Sequence, residues 1–137
     1  MKELTLQAQI ENIPRVTAFI DEQLEALDCP MKPQMQMDVA IDEMFCNISR
    51  YAYAPDVGEA TVRFEFDEST RMASVTFIDS GVPFNPLSRQ DPDVTAPSHE
   101  REVGGLGIFL VRKTMDQMEY RYENGKNILS LIKKVSP

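Results

Sequence analysis

Asp42-Glu43-Met44-Phe45-Cys46-Asn47-Ile48-Ser49-Arg50-Tyr51-Ala52-Tyr53 decides how this chain is read. It closes a helical pattern running from about Gln34 to Tyr53, in which Met37, Ile41, Met44, Phe45, Ile48 and Ala52 fall together when each residue turns about 100°. Glu43 and Asn47 stand four apart and Arg50 follows three later, so all three share a face flanking the apolar stripe. A carboxylate and a carboxamide stacked in this way can hold the water shell of a magnesium ion, and the carboxylate can also take a proton from an attacking hydroxyl. Taken alone, the pattern is far more often just the solvated side of an amphipathic helix.

Upstream, Leu4-Thr5-Leu6-Gln7-Ala8 alternates as a strand, and Pro14 suits the first turn of a helix. Val16, Phe19, Ile20, Leu24 and Leu27 give that helix one apolar stripe, broken at Cys29-Pro30. Downstream, Ala54-Pro55-Asp56 ends the quoted helix. Thr61 to Phe66 and Met72 to Ile78 then read as two strands of a hairpin. Leu106 to Met118 is apolar at helical spacing. Met118 to Tyr122 alternates into the tight turn Asn124-Gly125, and Asn127 to Val135 is the last strand. Strand, two helices, two strands, loop, helix and two strands predict helices on one face of a largely antiparallel sheet, with no internal repeat.

Two further stretches carry chemistry. In Ile78-Asp79-Ser80-Gly81 an acid closes an apolar strand, where a carboxylate can accept the exocyclic amine of adenine; the same residues also make an ordinary turn. Gly104-Gly105-Leu106-Gly107 opens a helix, and glycines there let phosphate oxygens approach the backbone N–H groups and the positive end of the dipole. The lysine and Ser/Thr of a P-loop do not follow, which excludes that mode of phosphate binding. Between the two, residues 82–103 hold Pro83, Pro86, Pro92 and Pro97 and read as a long functional loop, in which Arg89, His99 and Arg101 are cations able to meet a terminal phosphate.

Composition narrows the classes. At 137 residues the chain is sized for one domain, 1–137. It is 42% hydrophobic, with no run near the roughly 18 apolar residues of a membrane span, so no membrane role is expected. Its N-terminus lacks the apolar core of a signal peptide, which makes the cytoplasm the expected location. A net charge of -8 repels phosphate backbones and argues against direct nucleic-acid binding. Cys29 and Cys46 form no CxxC and read as packing residues.

In order and spacing, the three elements resemble the GHKL ATPases, the superfamily of gyrase-type ATPases and histidine-kinase catalytic domains. Asp42 to Tyr53 looks like that family's N box, Asp79-Ser80-Gly81 like its adenine box, and Gly104 to Gly107 like its second glycine box. The short length, together with Gly104 to Val111 and Met115-Asp116, most resembles the anti-sigma-factor serine kinases of bacteria. The resemblance implies an α+β, two-layer sandwich with a mixed, mostly antiparallel sheet and three main helices on one face, and an ATP lid over about 84–103. It implies Glu43 as base, Asn47 on Mg²⁺ with Glu43 reaching the ion through water, and Asp79 on adenine. Arg50, Gly81, Phe84, Gly104, Gly105, Leu106 and Gly107 would complete the ATP site. The activity implied is transfer of the ATP γ-phosphate to a serine of an anti-sigma-factor antagonist. A sigma factor is the second implied partner, and homodimerisation is a family trait. Two positions depart from the family: Tyr51 stands where many members carry histidine, and no arginine immediately precedes the glycines. A nucleotide-gated binding module that transfers nothing is the main alternative. A detached histidine-kinase catalytic domain is the other, although His99 in the loop is the sole histidine.

Overall fold

The computed structural model describes residues 1–88 and 105–135. Along the chain run β1 (Lys2–Gln7), a 3-10 turn (Ile10–Asn12), α1 (Ile13–Ala26), α2 (Met31–Tyr51), β2 (Glu59–Asp67) and β3 (Met72–Asp79). A second 3-10 turn (Pro86–Ser88), α3 (Gly105–Thr114), β4 (Gln117–Glu123) and β5 (Lys126–Lys134) follow. The strands lie in the order β1-β2-β3-β5-β4, and every pairing is antiparallel. This is the expected α+β arrangement, with the sheet antiparallel throughout.

Strand alternation sends one set of side chains toward the helices. Ala60, Val62 and Phe64 from β2, Ala73, Val75 and Phe77 from β3, and Leu129 and Leu131 from β5 meet Val16, Ile20 and Leu24 of α1 and Met37, Ile41, Met44 and Phe45 of α2. Phe45, Phe77, Ile20 and Leu24 are fully buried, each worth roughly 1.5–3 kcal/mol relative to exposure. The other face of the sheet carries polar pairs, among them Thr5 with Thr61 and Thr76 with Ser130, both at 2.8 Å. This division is typical of an antiparallel sheet covered on one side.

Two helix boundaries differ from the sequence expectation. α2 starts at Met31, ahead of Gln34, because Pro33 sits in its first turn, where no intrahelical N–H donor is required. α3 stops at Thr114, short of Met118. There the Asp116 N–H donates to the Ile132 carbonyl at 3.0 Å and its Oδ2 accepts the Lys134 N–H at 2.7 Å. Pairing with β5 therefore captures Gln117 and Met118 as strand. The tight turn falls at Asn124-Gly125 as expected, with φ of 53° and 75° joining β4 to β5.

Arg89, His99, Arg101, Gly104 and most of the expected lid, 84–103, lie outside the described residues. No helix among the described residues is long and apolar enough to cross a membrane.

Candidate functional site

The end of β3 is pinned against the end of α2. The Tyr53 hydroxyl donates to the Glu59 carbonyl at 2.6 Å and accepts the Ser80 N–H at 2.8 Å. The Val82 N–H donates to the Ala52 carbonyl at 2.9 Å. Gly81 is required by this approach, since a Cβ there would lie 2.2 Å from the Ala52 carbonyl oxygen.

Beneath this junction opens a narrow cleft. Met44 and Ile48 of α2, Ala52 just after it, Phe77 of β3 and Leu129 of β5 make its walls apolar, while Asn47, Asp79, Tyr120 and Asn127 bring polar groups into it. Tyr51 and Phe84 meet across it with ring centroids 6.0 Å apart and planes tilted by 31°. An apolar slot with a few convergent polar groups suits a flat heteroaromatic ring.

Asp79 is 5% exposed at the last position of β3. Its Oδ1 accepts the Gly81 N–H at 2.9 Å and the Asn127 amide at 2.9 Å, and its Oδ2 has no hydrogen-bond partner among the described residues. One oxygen is thus committed to the fold and the other remains an acceptor at the cleft. Asn47 is 6% exposed and lines the same cleft, and its amide nitrogen has no partner among the described residues. Leaving a buried donor unmet costs about 1–3 kcal/mol, so these N–H groups suit an acceptor supplied from the cleft, such as a phosphate oxygen, while the carboxamide oxygen is the atom able to face a cation or its water shell.

Glu43 lies one turn back along α2, outside the apolar slot and against the first turn of α3. A Cβ on Gly107 would sit 2.1 Å from its carboxyl carbon and 2.3 Å from each oxygen. Burial raises the pKa of Glu43 and neighbouring Asp42 raises it further, while Arg50 pulls it down. The carboxyl therefore binds a proton more readily than a free one. α3 begins at Gly105, and its N-terminal dipole favours anions beside Glu43. Arg112 of α3 donates to the Leu87 carbonyl, which ties the turn after Phe84 to this helix.

The structure therefore brings Asn47, Asp79 and Phe84 into one cleft, packs Gly81 at its rim, and sets Glu43 beside Gly107. Arg50 is exposed, does not line the cleft, and acts near Glu43 through its charge. Sequence reading missed Asn127 and Tyr120. The alternation Asn127, Leu129, Leu131 carries the signal, because it puts a polar residue on the core side of β5, in register with Asp79.

Comparison with known proteins bears on the family and the fold. A family model described as the histidine kinase-like ATPase domain matches residues 6–133. The serine-protein kinase RsbW of Bacillus mycoides (strain KBAB4) is 33% identical over 97 residues, covering 68% of this chain and 59% of that protein. RsbW of Bacillus cereus (strain B4264) is 34% identical over the same length. The chain thus matches less than two thirds of the length of these relatives. The structure of the Acinetobacter baumannii histidine kinase AdeS superposes with a TM-score of 0.50 at 9% identity, covering 100% of this chain and 70% of that one, a likeness of fold. Because the family match spans nearly every element from β1 to β5, this chain belongs to the histidine kinase-like ATPase domain family.

Proposed function

We propose that this protein is an ATP-binding serine/threonine protein kinase of a partner-switching circuit, which phosphorylates a serine on an anti-sigma-factor antagonist and has a sigma factor as its second partner. The observation that carries the reading is the placement of Glu43 against the first turn of α3, beside a cleft where Asp79 keeps one carboxylate oxygen without a partner among the described residues. Similarity to the RsbW serine-protein kinases supports it.

In this reading Asp79 Oδ2 accepts the exocyclic amine of adenine, and the walls contributed by Met44, Ile48 and Leu129 take the ring. The phosphates extend toward the N-terminus of α3, whose first-turn N–H groups, those of Gly105 and Gly107 among them, have no acceptor within the helix. Asn47, with Glu43 through water, would hold Mg²⁺, which supplies neutralisation of charge on the phosphate oxygens. The partner's serine oxygen forms a bond to the γ-phosphorus as the bond from that phosphorus to the bridging oxygen breaks, releasing ADP. The serine proton passes to the Glu43 carboxylate, whose proton affinity is already raised by burial. The transfer needs positioning and charge stabilisation more than covalent help from the protein.

The test is labelling of a cognate antagonist with γ-labelled ATP by wild type and by Glu43→Ala. Loss of labelling by at least about a hundredfold, with ATP affinity largely kept, is expected if Glu43 is the base. Wild type that never labels the antagonist, yet binds it more tightly with ATP, would instead establish a nucleotide-gated binding module.

A further inference from the structure

We infer that Asn127 is the positioning residue of the base-reading site: its carboxamide decides which oxygen of Asp79 is presented to the nucleotide, and it fastens the start of the segment after β3 to the same point. The inference rests on the proposed reading of Asp79 as the group that recognises adenine.

Asn127 is 5% exposed at the second position of β5, directly opposite Asp79 in the β3–β5 register. Its amide nitrogen donates to Asp79 Oδ1 at 2.9 Å and to the Val82 carbonyl at 2.9 Å, with the Gly81 carbonyl farther off at 3.4 Å. Its oxygen accepts the Phe84 N–H at 3.1 Å and the Tyr120 hydroxyl at 2.5 Å. A carboxamide has two N–H donors and two acceptor lone pairs, so every bonding position of Asn127 is used inside the protein. The orientation is also fixed by chemistry. Turning the amide over would set its oxygen against the Asp79 carboxylate and its N–H groups against the Phe84 N–H.

A saturated side chain of this kind has no bond left for a ligand. Its effect runs through Asp79, whose Oδ1 it occupies together with the Gly81 N–H, leaving Oδ2 as the reading oxygen. Through the same carboxamide, Val82 and Phe84 are held at the mouth where Phe84 meets Tyr51. Threonine or serine, with one hydroxyl, can make only part of this set.

The experiment is calorimetric titration of wild type, Asp79→Asn, Asn127→Ala and the double variant with ATP and with purine riboside triphosphate, which lacks the exocyclic amine. Thermal melts of each variant accompany it. Asp79→Asn is expected to weaken ATP about tenfold or more and the amine-free analogue little, the size of one hydrogen bond to a charged group. Asn127→Ala should reproduce that pattern, and the double variant should bind ATP no more weakly than Asp79→Asn. Equal weakening of both nucleotides by Asn127→Ala, or losses that add in full, would overturn the inference while leaving Asp79 as the reader. An Asp79→Asn protein that still prefers ATP over the analogue as wild type does would overturn the adenine reading itself. Tyr120→Phe removes one donor to Asn127 and keeps the ring, so it serves if Asn127→Ala does not fold. It should cost ATP severalfold and leave the analogue unchanged, and an unchanged ATP affinity would count against the inference.

Discussion

Replacing Gly107 with alanine separates the catalytic geometry from the stability of the fold. The added Cβ would stand 2.1 Å from the carboxyl carbon of Glu43, whereas ordinary contact begins near 3.4 Å, so the carboxyl must retreat by roughly 1 Å or more. The obstructing group is the end of a flexible side chain, which can swing aside without moving α2. Alanine in place of glycine within a helix also favours folding by about 0.5–1 kcal/mol. The melting temperature should therefore hold or rise slightly. A displacement of about 1 Å in a reacting group is enough to cost about a hundredfold in rate, so phosphoryl transfer to the antagonist should fall by that order. The assay pairs a thermal melt with initial rates of serine labelling at saturating ATP. A variant that keeps more than half the wild-type rate would refute the placement of Glu43 as the base, and one that unfolds would show that its carboxyl cannot yield.

The pair formed by Asp21 of α1 and Asp38 of α2 sets a pH dependence. Burial, a hydrogen bond to Asp21 and the charges of Asp21 and Glu25 push Asp38 up to about 7, from an ordinary value of 3.8. The folded state then holds a proton that the unfolded chain has lost, so this contribution is fully present below pH 3.8 and disappears as pH rises through about 7. Asp38 is half-buried, and after discounting for solvent screening Asp38→Asn should stabilise the protein by about 1 kcal/mol at pH 8 and change little at pH 4. Chemical denaturation across that range checks this, and a difference independent of pH would contradict it. Gly81→Ala meets the Ala52 carbonyl, a backbone group that cannot swing away, and should destabilise by about 2–3 kcal/mol. An unchanged urea midpoint would show that the junction of α2 with the turn after β3 is looser than described.

Periodicity alone determined the elements. Val16, Ile20 and Leu24 lie on one stripe and Val62, Phe64, Val75 and Phe77 alternate, so the helices, the strands and the buried faces could be read from spacing. The grouping of Asp79, Gly81 and Asn47 was legible for a related reason: a carboxylate closing an apolar strand and a polar pair beside an apolar stripe are local patterns. What spacing could not give was register and reach. Capture of Gln117 and Met118 by β5 depends on bonds from Asp116 to Ile132 and Lys134, residues 16 and 18 positions away along the chain. Burial of Asn127 against Asp79 needs β3 and β5 to become neighbours with β4 outside them, across 48 residues of sequence. The contact of Glu43 with Gly107 needs α2 and α3 packed together. A side chain's own neighbours in sequence decide which face it takes. Only the closed sheet and the packed helices decide which distant group it meets there, and in this protein that decides which oxygen of Asp79 is bonded to Asn127 and which has no partner among the described residues.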